Sequence, residues 1–241
     1  MSAICRNIPY GKFSFENVVD IQKVKQWYEP GYTVNVRGAH FFHPGLGQTC
    51  EILRQMFKCN VRANLYLTPS EKSGLIPHYD AHDVIIIQIS GKKRWDFYSN
   101  NFAKPTERQH FQSSKFDVGI LTKSLELSAG DLLYVPRGTS HSAQAIDDSL
   151  HVTLGIEEPT IRDVVTNLIA CIEEYPEIRD SLEELFESGD FIDLDDISNE
   201  VMRRIHLAIN IEEIGRSIER VRFRSNHENG DNYVRFERNN K

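Results

Sequence analysis

From Val61 to Ile156 the apolar residues recur at every second position, and this period constrains the fold more than any other feature of the chain. Val61-Arg62-Ala63-Asn64-Leu65-Tyr66-Leu67 alternates without a break, while Val84 to Ile89 is almost wholly apolar, as a strand covered on both faces requires. Lys92 to Tyr98, Leu121 to Leu127, Leu132 to Val135, His141 to Ile146 and Leu150 to Ile156 read as further short strands. Ser90-Gly91 and Asp147-Asp148-Ser149 carry the turn chemistry of hairpins. Many short strands with little helix between them predict a sandwich or barrel.

The flanks follow a different period. Asn17 to Trp27 reads as a short helix closed by Glu29-Pro30-Gly31, Tyr32 to Val36 as a strand, and Leu46 to Phe57 as an amphipathic helix. After Glu157 the pattern is helical: Thr160-Ile161-Arg162-Asp163 resembles a capping box, with Ile161, Val164, Val165, Leu168, Ile169 and Ile172 on one face. A second helix is expected from about Ile197 to Val221, the acidic stretch Asp180 to Asp196 as a solvated helix and loop, and Ser225 to Lys241 as a polar, mobile tail. The expected organisation is a mainly β domain over residues 1–158 with helical elements near its start, a helical appendage over 159–224, and the tail over 225–241.

Composition enters by exclusion. A net charge of −7 argues against a protein that coats nucleic acid. No apolar run approaches the roughly 18 residues a membrane-spanning helix needs. Met1 to Tyr10 has no apolar segment of the secretory kind, and Cys5, Cys50, Cys59 and Cys171 are scattered, so isolated thiols in a reducing cytoplasm are expected.

Chemistry concentrates on a few histidines. On extended chain, His78 and Asp80 aim an imidazole and a carboxylate the same way, and His141 follows the tight turn at Pro136-Arg137-Gly138. Two histidines and one carboxylate are the facial triad of non-haem Fe(II) oxygenases, which leaves positions for a co-substrate and O2. Lys93 shares the inward face of its strand with Trp95 and Phe97; a buried ammonium needs an anion, and beside a metal the far carboxylate of a 2-oxo acid suits it better than snorkelling to the edge. Asn64 and Tyr66 share a face as candidate hydrogen-bond donors to the same co-substrate, the alternative being solvent exposure or a buried polar network. His151 and Thr153 either line the cavity or are structural, and His82 is expected to have a surface role.

Taken in order, Asn64 to Pro69, Pro77-His78-Tyr79-Asp80, Asp83 to Gln88, Gly91-Lys92-Lys93-Arg94-Trp95, Gly130 to Pro136, the Pro136–His141 turn and His151-Val152-Thr153 resemble the cupin-4 branch of the JmjC oxygenases, which includes the ribosomal oxygenases, over roughly residues 30 to 175. The resemblance implies a double-stranded β-helix, a jelly roll of the cupin type, with a helical C-terminal appendage. It implies Fe(II), 2-oxoglutarate and O2, with iron on His78, Asp80 and His141, the far carboxylate of 2-oxoglutarate on Lys93, and Asn64 and Tyr66 near that co-substrate. It implies hydroxylation of an unactivated C–H, such as a β-carbon, of an amino-acid residue in a protein or peptide. The same chemistry on a free amino acid or a natural-product intermediate is the alternative, and a non-catalytic metal-binding cupin the second. A homodimer through the C-terminal helices is expected, without the winged-helix domain of the longer members.

Overall fold

The computed structural model describes residues 5–10, 13–19, 21–173, 175–179, 194–209, 211–222 and 234–237. It divides into two compact units, residues 1–158 with 225–241, and residues 159–224.

In the first unit, β1 (Cys5–Tyr10) and β2 (Phe13–Val19) form an antiparallel pair, followed by α1 (Ile21–Tyr28). Residues 17–19, expected to open a helix, thus end a strand. The apolar content of Asn17 to Trp27 is common to both states, and a stretch of that length does not locate the change of period. Next come β3 (Thr33–Val36), α2 (Pro44–Phe57), β4 (Asn60–Thr68), β5 (Asp83–Ser90), β6 (Lys93–Tyr98), β7 (Leu121–Leu127), β8 (Leu132–Val135), β9 (His141–Ala145) and β10 (Ser149–Glu157). The six-stranded sheet runs β11-β3-β4-β10-β5-β8, where β11 is Val234–Glu237, and the three-stranded sheet runs β7-β6-β9. The segment expected as a polar tail therefore contributes an edge strand paired to β3, and its other residues lie outside the described ones.

The two hairpin expectations do not hold. β5 and β6 belong to different sheets, and so do β9 and β10. At Ser90-Gly91 and at Asp147-Asp148-Ser149 the chain instead turns a corner from one sheet to the other. Gly91 has φ +66°, and a Cβ there would lie 2.1 Å from the Asp148 carbonyl oxygen, so the two corners press backbone to backbone. Local turn chemistry reports a reversal but not which sheet the next strand joins.

This crossing gives the large sheet two covered faces. Outward, Val61 and Ala63 of β4 and Val152, Leu154 and Ile156 of β10 pack with Cys59 and with Cys50 of α2, and Leu46 and Leu53 add to the cluster. α2 presents these residues at helical spacing, starts on Pro44 with the His43 ring accepting from Leu46 N–H, and ends at Lys58 in the left-handed region. Inward, Val84 and Ile86 of β5 meet Trp95, Leu127 and Val135. Burial by these two layers is the main stabilising term, at about 25 cal/mol per Å2 of apolar surface.

In the second unit, α3 (Ile161–Ile172) opens with the expected capping box: Thr160 accepts from Asp163 N–H, and the Asp163 carboxylate accepts from Thr160 N–H. A short α4 (Pro176–Arg179) follows. The single helix expected from Ile197 to Val221 is two, α5 (Leu194–Ala208) and α6 (Ile211–Arg222). α3 packs against α6, burying Leu168, Cys171 and Ile172 with Ser217 and Val221. The acidic stretch falls outside the described residues up to position 193.

Candidate metal and co-substrate site

His78 and His141 face each other across an isolated antiparallel bridge, each N–H donating to the other's carbonyl at 2.9 and 2.7 Å. A directly opposed pair projects to the same side of a sheet. Here the rings approach to 4.6 Å between centroids. Asp80, two residues on, is fixed by Gly138 N–H donating to its carbonyl oxygen at 2.8 Å. Its carboxylate stands 3.9 Å from His78 Nε2 and 3.7 Å from His141 Nε2. One ligating atom from each of the three lies within 4.8 Å of the others.

The imidazoles are held by their far nitrogens. His78 Nδ1 lies 2.8 Å from Ile76 O, and His141 Nδ1 lies 2.9 Å from Thr139 O. A carbonyl only accepts, so each Nδ1 carries the proton and each Nε2 turns a lone pair to the common centre. Burial pushes the His141 imidazole down to about 4, helped by the neighbouring His78, so its neutral, ligating form prevails. Burial alone would raise the Asp80 carboxyl, but His78, His141 and His82 outweigh it and hold it below the usual value. Tyr79 points the other way, its ring among Phe102, Phe111 and Phe116 and its hydroxyl donating to Gln109 O. Two imidazoles and a carboxylate converging from one side suit a hard-to-borderline divalent cation with positions left open.

The triad opens on a cavity between the two sheets. Lys93, only 3 % exposed, lines it from β6, and its ammonium donates to Thr68 Oγ1 at 3.1 Å and lies 3.4 Å from His151 Nδ1. Burial, and then the Lys93 charge, hold the His151 imidazole well below its ordinary value. Tyr66 lines the same cavity, stacked on His151 at 4.9 Å and 2° as its cross-strand partner, and Thr153 is a further lining residue. Asn64 stands apart from the lining: its Oδ1 accepts from Gly38 N–H at 3.1 Å and fastens the left-handed turn after β3.

Seven of the eight residues expected at the site line this cavity, all but Asn64; Thr33 and Trp95 line it without having been expected there, and Thr68 meets the Lys93 ammonium. Thr68 accepts from both Thr33 Oγ1 and Lys93, and it shares parity with Tyr66, a signal that was available. His82, expected at the surface, is half-buried against Gly155, where a Cβ would come within 2.9 Å of its ring.

The JmjC domain model matches residues 39–164. The bifunctional lysine-specific demethylase and histidyl-hydroxylase NO66 of Drosophila yakuba is 38 % identical over 136 residues, 54 % of this chain and 20 % of that protein. The protein of the same name from Dictyostelium discoideum is 38 % identical over 133 residues, 53 % of this chain and 26 % of that one. The chain thus spans about a fifth to a quarter of the length of these curated relatives. YcfD, a ribosomal oxygenase from Escherichia coli solved with cobalt and 2-oxoglutarate, superposes with a TM-score of 0.61 at 14 % identity, over 91 % of this chain and 67 % of that one. A second structure of the E. coli protein gives 0.63 at 17 %, over 81 % and 53 %. At such identities the likeness is one of fold, the double-stranded β-helix.

Proposed function

This chain belongs to the JmjC family of Fe(II)- and 2-oxoglutarate-dependent oxygenases, and on that premise we propose that it hydroxylates an unactivated C–H, at a β-carbon, of an amino-acid residue in a protein or peptide. One observation carries the reading: the His78–Asp80–His141 cluster shares one cavity with a buried lysine. A metal site alone would suit many cupin reactions, whereas a metal site with a fixed ammonium in the same cavity suits a co-substrate that is both a chelator and a distant carboxylate.

In this reading His78, Asp80 and His141 hold Fe(II) on one side and leave its remaining positions open. Bound Fe(II), with 2-oxoglutarate and O2, supplies the chemistry that replaces C–H by C–OH, the co-substrate leaving as succinate and carbon dioxide. The protein's own part is orientation and exclusion of water. Lys93 binds the far carboxylate of 2-oxoglutarate and sets the length of acid that fits. Tyr66, His151 and Thr153 form the wall along it, and Asn64 supports that wall by holding the turn at Gly38. The Nδ1 hydrogen bonds to Ile76 and Thr139 keep both histidines in the ligating tautomer.

A protein substrate is supported by the relatives, one group named for histidyl hydroxylation and the other for the ribosome. A homodimer is supported by α3, where Ile161, Val165 and Ile169 recur at helical spacing and are 85, 47 and 52 % exposed. A cytoplasmic location is supported by the free thiols of Cys50, Cys59 and Cys171. Among the described residues no helix is long and apolar enough to cross a membrane.

The test is a mass-spectrometric screen of ribosomal proteins, peptides and free amino acids for the gain of one oxygen atom with Fe(II), 2-oxoglutarate and O2. Gain on a polypeptide supports the reading, and gain only on free amino acids or small metabolites overturns its substrate class. Metal binding without turnover of 2-oxoglutarate would leave a binding module.

A further inference from the structure

Trp95 follows Lys93 by two residues on β6, so both side chains take the inward face. Trp95 lines the cavity beside the triad and is 5 % exposed. Its Nε1–H is buried and has no hydrogen-bond partner among the described residues. An indole nitrogen only donates, and a buried donor without an acceptor is destabilising unless a ligand supplies one. The packing neighbours of the ring, Val84, Ile86, Leu127 and Val135, have no acceptor in their side chains. The ring lies edge-on to His151 at 5.6 Å and is 5.9 Å from His141, so it stands between the Lys93 end of the cavity and the triad.

His151 completes the same wall. Lys93 can only donate, so the nearby Nδ1 is the accepting nitrogen and the neutral ring carries its proton on Nε2. Ammonium, imidazole N–H and indole N–H together form a donor-rich wall, which matches an anion with oxygens along its length.

We propose that Trp95 Nε1–H donates a hydrogen bond to an oxygen of 2-oxoglutarate lying between the triad and Lys93. This rests on the function proposed above, and its test separates the two. The full chain, labelled with 15N and loaded with diamagnetic Zn(II) without oxygen, shows indole N–H resonances from Trp27 and Trp95, the two tryptophans, and W27F assigns them. On saturation with 2-oxoglutarate the Trp95 indole proton moves downfield and its exchange with water slows. In calorimetry W95F binds 2-oxoglutarate about tenfold more weakly, the loss expected for one hydrogen bond to a charged acceptor, while its Zn(II) affinity is unchanged. An unmoved Trp95 indole in protein saturated with 2-oxoglutarate overturns the inference, whether or not W95F folds. Wild-type protein that binds no 2-oxoglutarate overturns the reading of the site itself.

Discussion

Replacing Lys93 by Met should move stability and co-substrate affinity independently. Met nearly matches the volume of the lysine stem and removes the ammonium. Lys93 is 3 % exposed, and its ammonium donates to Thr68 Oγ1 at 3.1 Å and sits 3.4 Å from His151 Nδ1. Losing the Thr68 bond costs about 1 kcal/mol. Thr68 keeps Thr33 as a partner, and relief from burying a charge offsets the loss, so K93M should lie within about 1 kcal/mol of wild type. Co-substrate binding should respond far more. Removing one partner of a desolvated charge pair costs about 2–5 kcal/mol, or roughly 30-fold to several thousand-fold in Kd. Urea denaturation at neutral pH gives the first quantity, and anaerobic calorimetry of 2-oxoglutarate on the Zn(II)-loaded protein gives the second. K93M with wild-type affinity for 2-oxoglutarate refutes the role given to Lys93. A stability loss above about 3 kcal/mol would mean that the lysine is chiefly structural.

Other perturbations have equally definite outcomes. D80A should weaken metal binding by more than about 100-fold, beyond the range for loss of a supporting partner, as read by metal titration and elemental analysis; stoichiometric metal on D80A would remove Asp80 from the site. Stability of the chelator-treated protein should fall with pH. His141 and His151 are buried and neutral when folded, His141 with its value near 4, and in the unfolded chain they protonate near the ordinary 6.5. The unfolded state therefore binds more protons below 6.5, and stability drops by up to about 1.4 kcal/mol per pH unit per ring between 6.5 and 4. An unchanged urea midpoint between pH 7 and 5 would contradict this. G138A should destabilise the chain by more than about 2 kcal/mol and weaken metal binding, because the turn before His141 needs φ +82° and a Cβ there would lie 1.8 Å from Phe102 O; a thermal melt matching wild type would refute the strain.

What the sequence makes legible depends on how locally each feature is encoded. The inward face of β6 follows from parity alone, because Lys93, Trp95 and Phe97 occupy every second position. The meeting of His78 with His141 depends on an isolated bridge across more than sixty residues, yet each histidine sits in a short motif that announces it. The corners at Gly91 and Asp148 look like hairpins in the sequence, because their shape is settled by a backbone contact between two distant turns that local turn chemistry does not encode. The aromatic cluster of Tyr79 with Phe102, Phe111 and Phe116 went unread for a similar reason. Three of its rings lie between β6 and β7, where no period marks which side chains turn inward. Asn64 shares parity with Tyr66, but its side-chain oxygen is taken up by Gly38 N–H, and parity assigns a face without saying which groups on it a neighbouring loop will claim.

An oxygenase built on the triad and Lys93 must consume 2-oxoglutarate. The most direct measurement follows 2-oxoglutarate and succinate by proton NMR with Fe(II), O2 and ascorbate, comparing wild type with D80A. The wild type should convert 2-oxoglutarate steadily to succinate, and D80A should convert none. Equal conversion by both proteins, or no conversion by wild type that demonstrably holds one Fe(II) and binds 2-oxoglutarate, would contradict it.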